Sequence, residues 1–238
     1  MTQQTEIEWT DITWNPATGC DKVSPGCLHC YAEEMTKRFP NAFPNGFDVT
    51  IHPDRLGRTT KIRKPQRIFV NSMGDLFHPE VPFWFLQKVF EEMGANPRHT
   101  YQILTKQEDR LVELAPSLPW FENIWMGVSV ENQRYVHRID ALRRVIVKER
   151  FISAEPLLGP LTLDLTGISW VIVGGESGHK HRPICAEWVR DIRDQCQSAG
   201  VAFFFKQWGG RTPKAGGRVL DGQHYSQFPD DKAKLAVC

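Results

Sequence analysis

Three of the chain's six cysteines fall within eleven residues, as Cys20, Cys27 and Cys30 of TGCDKVSPGCLHCYAEEM (18–35), a C-x6-C-x2-C spacing. Thiolates gathered this closely hold zinc, iron–sulfur clusters or copper. A closed structural zinc site needs four ligands, and this stretch offers three cysteines. His29 is adjacent to Cys30, which makes joint ligation of one tetrahedral metal awkward, so a fourth ligand would come from afar, from His52 or His78. Three cysteines on a 4Fe–4S cluster instead leave one iron without a protein ligand. Such an iron can chelate the amino and carboxylate groups of S-adenosylmethionine. An electron from the cluster then cleaves the sulfonium and releases a 5′-deoxyadenosyl radical. Pro25-Gly26 gives the loop a turn. Tyr31 either covers the cluster or the adenine, or is simply the first apolar residue of a helix, and the two are compatible.

The elements that must position these residues read as short strands alternating with helices. Apolar, β-branched or aromatic runs at 11–16, 67–72, 101–105, 124–130, 150–155, 169–175 and 201–207 predict buried parallel strands. Helical spacing covers 82–96, with Phe83, Leu86, Val89, Phe90 and Met93 on one face, and also 107–118, 131–145 and 186–200, where Gly200 is a stop signal. The alternation predicts an α/β fold: a complete or nearly complete (β/α) TIM-type barrel with parallel strands, with an open doubly wound sheet as the alternative. A single domain over 1–238 is expected, and the Gly-rich, polar stretch 209–238 reads as a C-terminal flap or tail.

Polar residues sit where the strands end: Asn71, Ser72 and Asp75; Thr105 and Lys106; Ser129, Glu131 and Asn132; Ser153 and Glu155; Glu176 and Ser177; Lys206, Gln207 and Trp208. In a barrel these points share the C-terminal face, where barrel enzymes keep their sites. The cysteine loop follows the first strand and reaches the same face.

Composition narrows the setting. The 238 residues are 41% hydrophobic, enough for a core without disulfide staples. Apolar runs are too short to cross a bilayer, and the polar, acidic N-terminus does not read as a secretory signal, so no membrane partner and a cytoplasmic location are expected. A net charge of +1 makes no global case for nucleic acid. KIRKPQR (61–67) reads as a solvated loop or a polyanion contact, and Lys61, Arg63, Lys64, Arg67, Arg143 and Arg144 are candidates for a basic rim. Trp125, Trp170, Trp208 and Tyr135 are core residues or base-stacking platforms. Cys185, Cys196 and Cys238 read as structural or incidental. The full P-loop and dinucleotide fingerprints are missing, as are H-E-x-x-H and G-x-S-x-G.

The segments 13–33, 70–82, 103–106, 127–132, 152–161, 171–178 and 203–210 together resemble a phage- and prophage-associated family of unknown function recognised by its three-cysteine motif. That family in turn resembles radical S-adenosylmethionine enzymes, whose common spacing, C-x3-C-x2-C, is three residues shorter. The resemblance implies Cys20, Cys27 and Cys30 as ligands of a 4Fe–4S cluster. It implies S-adenosylmethionine contacts at Tyr31, Asn71, Ser72, Gly74, Asp75, Ser129, Glu131 and Asn132. Met73-Gly74-Asp75 stands where superfamily members carry Gly-Gly-Glu, so Asp75 is the candidate to receive the amino group. The literal Gly174-Gly175-Glu176 lies at the sixth strand and falls to the substrate or adenine side. Lys106, Glu155, Gly175, Glu176, Lys206, Gln207 and Trp208 become the substrate pocket, the two lysines meeting a carboxylate or phosphate or pairing with Asp75, Glu155 or Glu176. An electron donor such as a flavodoxin or ferredoxin is implied, and phage association points to DNA or a nucleotide as substrate. The competing expectation is a zinc-stabilised barrel that binds nucleic acid or a partner protein without catalysis.

Overall fold

The structure, a computed structural model, describes residues 3–212 and 214–229. Cys238 and the distal part of the expected tail lie outside the described residues. In chain order the strands are β1 (Gln3–Gln4), β2 (Ile12–Trp14), β3 (Ala17–Thr18), β4 (Thr50–Ile51), β5 (Arg67–Val70), β6 (Thr100–Thr105), β7 (Ile124–Ser129), β8 (Glu149–Ala154), β9 (Trp170–Gly174) and β10 (Ala202–Gln207). The α-helices are α1 (Tyr31–Arg38), α2 (Phe83–Ala95), α3 (Glu108–Leu114), α4 (His137–Arg143) and α5 (Ala186–Ala199). All seven strands expected from the apolar runs are present. β7 and β9 are buried along their whole length, which is why they read as continuous apolar runs and not as alternating ones.

The chain divides into two compact units, Met1–Gly127 with Ala141–Lys148, and Val128–Asp140 with Glu149–Cys238. In the first unit β2, β5 and β6 are parallel neighbours, with Ile12 opposite Ile68 and Val70 opposite Ile103. α2 buries Phe85, Leu86, Val89, Phe90 and Met93, so Phe85 takes the place the spacing assigned to Phe83. It also buries Glu92, which accepts hydrogen bonds from the Gly57 and Thr59 amides and the Thr59 hydroxyl. In the second unit β8, β9 and β10 are parallel neighbours, and α5 ends at Gly200 in the left-handed conformation.

The expectation of a complete or nearly complete barrel is corrected. Seven strands follow one another in the order β2-β5-β6-β7-β8-β9-β10, as in a partial barrel, but the sheet is not closed. Both edges are already taken. β1 pairs antiparallel with β2, placing Gln3 opposite Thr13, where a closing strand would have to sit. At the other end the segment after β10 turns back along it: the Phe205 amide donates to Tyr225, and the Gln227 amide to Phe203. The described part of the tail therefore covers an edge that would otherwise present unpaired backbone. Two expected helices are also shorter. α3 ends at Leu114, two residues before Pro116, whose ring cannot continue a helix. The 131–145 stretch breaks into a single turn, Gln133–Tyr135, capped by Asn132, and then α4. No helix among the described residues is long and apolar enough to cross a membrane.

Candidate functional site

All three cysteines lie on an excursion between β3 and β4, whose base is closed by the antiparallel pairs Ala17–Ile51 and Thr18–Thr50. Two glycines let this excursion dock on the turn after β5. The Gly19 amide donates to the Met73 carbonyl at 2.9 Å, and Gly19 bridges Gly74. A Cβ on Gly74 would stand 2.5 Å from the Gly19 oxygen, and one on Gly19, whose φ is +90°, 2.3 Å from the Asp48 oxygen. Neither position admits a side chain without moving backbone. The turn itself is shaped by Asn15, whose Oδ1 accepts from the Ser72 hydroxyl and the Met73 amide. Asn71 takes the left-handed conformation (φ 73°) that asparagine tolerates, and its Oδ1 accepts from the Ala17 amide. A further clasp lies beside Cys20. His78 Nδ1 accepts from the Glu80 amide, so Nε2 carries the proton and donates to Asp21 Oδ2 at 3.1 Å. Asn15, Gly19 and the Asp21–His78 pair escaped the sequence reading, although Gly19 immediately before Cys20 was a signal.

Cys20, Cys27 and Cys30 are partly buried and none is in a disulfide. The Cys20 thiol is pushed up to about 12, first by burial, then by the charge of Asp75 and of Cys27, with Cys30 adding less and Lys106 opposing. Cys30 is the N-cap of α1, so a ligating sulfur there meets the positive end of the helix dipole. Tyr31 is 53% exposed, and its hydroxyl donates to the Ser72 carbonyl, tying the excursion again to the turn after β5. Among the described residues no three His, Cys, Asp or Glu side chains converge closely enough to hold a single metal ion. His52, one proposed fourth zinc ligand, bonds Thr18, and His78, the other, is bonded through both ring nitrogens. The three cysteines lie on one loop and none is in a disulfide, a donor type that suits zinc, copper or an iron–sulfur cluster.

Asp75 is buried behind that turn. Its Oδ1 accepts from the Thr105 hydroxyl at 2.7 Å and the Phe77 amide at 3.0 Å, and its Oδ2 accepts from the Lys106 amide at 2.9 Å. Burial raises its pKa and the three donors oppose the rise. The carboxylate thus ties the ends of β5 and β6 together while adding its field to that at Cys20.

The base of the excursion is sensitive to pH. His52 bonds Thr18 at 2.8 Å and is held down to about 4 by burial and, next, by Arg55, against an ordinary 6.5. The unfolded chain therefore takes up this proton first as pH falls. The stability contributed by neutral His52 is complete above pH 6.5 and is lost between 6.5 and about 4. We expect His52→Gln to flatten that segment of the stability–pH curve by up to one proton, read by urea denaturation at stepped pH. Identical curves for the two proteins would contradict the assignment.

In the second unit Glu131 is fully buried and pairs with Arg138, itself 2% exposed, at 3.0 Å. Arg138 also donates to the Ser129 carbonyl and lies 4.3 Å over the Tyr135 ring. Ser129 and Glu131 are therefore enclosed, and Asn132 is occupied in capping its turn. At the ends of β8 to β10, Lys206 pairs with Glu155 at 2.6 Å, Arg182 grips Glu176 through two nitrogens, and Gln207 donates to the Gly175 carbonyl and the Ser177 hydroxyl. Trp208 packs on Phe205 and donates its indole N–H to Val219, so it anchors the following loop and is not a free stacking platform. Trp125 and Trp170 are buried core, which removes them as base platforms. The expected basic rim at 61–67 is also corrected. It precedes β5, while Asn71 to Asp75 follow it, so in the first unit the two groups are separated by the strand, roughly 13 Å for this length.

Fold and site together define an open, parallel α/β sheet protein with a cysteine-bearing excursion following its first parallel strand. The chain belongs to DUF5131, a family of proteins of unknown function, which it matches over residues 4–229. No curated protein matches the sequence. Among solved structures it is similar to spore photoproduct lyase complexed with dinucleoside spore photoproduct, at 14% identity and a TM-score of 0.51, covering 82% of this chain and 63% of that one. A double mutant of that lyase with bound AdoMet and dinucleoside spore photoproduct gives a TM-score of 0.50 at 14% identity, over 82% and 63% of the two chains. The protein thus spans less than two thirds of the length of these lyase chains, and at this identity the likeness is one of fold.

Proposed function

We propose that this protein is a radical S-adenosylmethionine enzyme in which Cys20, Cys27 and Cys30 hold a 4Fe–4S cluster, with DNA or a nucleotide as substrate. One observation carries the reading. The Gly19–Gly74 contact docks the cysteine loop on the turn after β5, so that the three thiols, Asp75 and Lys106 share one electrostatic neighbourhood. Held by Cys20, Cys27 and Cys30, such a cluster with S-adenosylmethionine would supply 5′-deoxyadenosyl radical chemistry, with a donor such as a flavodoxin or ferredoxin as the source of the electron.

The protein's part is to bind, orient and shield. Gly74 leaves room for close approach of backbone at this turn, and Asn71, whose buried Nδ2 lacks a protein acceptor, offers a donor there. Asp75 uses three of about four lone-pair positions on protein donors, leaving one for a ligand amino group. Lys106 supplies the balancing positive charge. In the second unit Glu155 and Lys206 are 16% and 20% exposed, and Glu155 Oε1 has no protein donor, so this pair keeps hydrogen-bonding capacity for a polar group of a ligand. The bound AdoMet and dinucleoside named for the lyase support both halves of the reading.

The test needs no substrate. Anaerobic reconstitution with iron and sulfide should give brown protein that bleaches on reduction and, with S-adenosylmethionine and dithionite, releases 5′-deoxyadenosine. Colourless protein that releases none would overturn the proposal.

A further inference from the structure

An ion pair in the second unit links the ends of three neighbouring strands. Glu155, just after β8, and Lys206, in β10, meet across the end of β9, where Lys206 Nζ donates to Glu155 Oε2 at 2.6 Å. Two local features permit the crossing. Gly174 ends β9 beside the glutamate, and a Cβ there would already press on Glu155 Oε2 at 3.2 Å. β10 carries a bulge: Phe205 stands opposite Val173 and Gln207 opposite Gly174, so Lys206 is the extra residue. Bulges of this kind re-aim a side chain at the rim of a sheet.

The pair leaves hydrogen-bonding capacity on both members. Glu155 Oε1 is buried without a donor, and the Lys206 ammonium has three protons, of which Glu155 Oε2 takes one. Neighbouring strand-end groups are closed instead. Glu176 takes the Arg182 amide and two guanidinium nitrogens, and Gln207 gives its side-chain amide protons to Gly175 and Ser177. A purely structural pair gains nothing from a buried acceptor without a donor, which costs stability. The terminal torsion of a glutamate is soft, so a ligand that enters beside the partly exposed pair can turn Oε1 toward itself. An anion drawn to Lys206 would meet the Glu155 carboxylate at contact distance and be repelled by it. A neutral group with a donor and an acceptor side by side satisfies both residues at once.

We infer that Glu155 and Lys206 hold a neutral part of the nucleotide substrate, a base edge or sugar hydroxyls that give a proton to Glu155 and accept one from Lys206, and that phosphate is kept out of this position. The inference rests on the nucleotide reading above for the molecule and adds which part of it this pair takes. It also replaces the expectation that Lys206 meets a carboxylate or phosphate of a ligand, because its charge is already answered by Glu155.

The measurement is saturation-transfer NMR on full-length, iron-free protein. The probes are the common nucleosides in ribo and deoxy form, their 5′-monophosphates, the free bases, ribose and inorganic phosphate. At least one nucleoside should bind, and inorganic phosphate should not displace it. The Glu155→Gln/Lys206→Met protein, which leaves no lone charge in the sheet, should bind that nucleoside at least about 10-fold more weakly and lose the same factor for its monophosphate. Glu155→Gln alone carries the test if the double variant melts early: its amide oxygen stays with Lys206 and its amide nitrogen then offers a donor where Oε1 accepted, so a similar loss is expected. A Glu122→Gln/Lys148→Met control, at an exposed pair of the first unit, should bind as the wild type does. Displacement by a free base places the base edge at the pair and displacement by ribose places the sugar there, and either supports the inference. Wild-type affinity in the folded variants would overturn it, as would displacement by inorganic phosphate or failure of every nucleoside to bind at its solubility limit. Nucleoside binding that depends on Glu155, without any 5′-deoxyadenosine production, would sink the radical reading alone. Deoxyadenosine production without such binding would sink this site alone.

Discussion

Cys27→Ala protein, reconstituted anaerobically beside the wild type, is expected to stay near colourless and to release 5′-deoxyadenosine only at background. A loss of at least ~100-fold is expected, because that size is already reached when only a group supporting a metal ligand is removed. The fold should survive. Cys27 is partly buried on the excursion, where its thiol lies 3.6 Å from the Ser24 hydroxyl, so truncation removes little packing, on the order of 0.5 kcal/mol. Iron content, visible absorption and circular dichroism on the same sample separate lost ligation from lost folding. Cys196→Ala is the counter-case. That thiol is buried in α5, so its removal should lower stability while iron content stays at the wild-type level. Undiminished S-adenosylmethionine cleavage in Cys27→Ala would remove the cluster assignment.

The second large effect concerns stability. Arg138→Ala strips the partner from a carboxylate with no exposed surface, and breaking such a buried pair typically costs about 3–5 kcal/mol. For a chain of this size that is a fall in melting temperature of roughly 6–20 °C. The lost stacking on Tyr135 and the lost bond to Ser129 act in the same direction. Adding Glu131→Gln to the Arg138→Ala protein should recover part of the loss, since a neutral amide is less costly to bury than an unpaired charge. An Arg138→Ala protein as stable as wild type would show that Glu131 is not held in this way. Glu131, expected as a cofactor contact from its place after β7, is held in the second unit by Arg138 through Oε2, while its buried Oε1 has no hydrogen-bond partner.

Strand positions were legible because burial on both faces writes an apolar run into consecutive residues, as in WVIVG of β9. α5 was legible to its last residue because Gly200 is a local stop. Barrel closure was not. It depends on which chain occupies the outer edges of β2 and β10, and those occupants, Gln3–Gln4 and Tyr225–Gln227, are polar segments without strand-like pattern. Charged groups were equally opaque. Glu131 and Glu155 have the same residue type and similar positions after strands, yet one is sealed against Arg138 and the other faces a partly exposed lysine.

By itself the amino-acid order determined three closely spaced thiols following the first parallel strand and the run of elements that carries polar groups at strand ends. Residue type and spacing suffice for this, because ligand chemistry and strand burial are local properties. Only the tertiary structure decided that Gly19 meets Gly74, that the sheet stays open, and that the cations of 61–67 lie at the opposite end of β5 from Asn71 to Asp75. Those outcomes depend on backbone approach and desolvation between residues far apart in sequence, which no local pattern records.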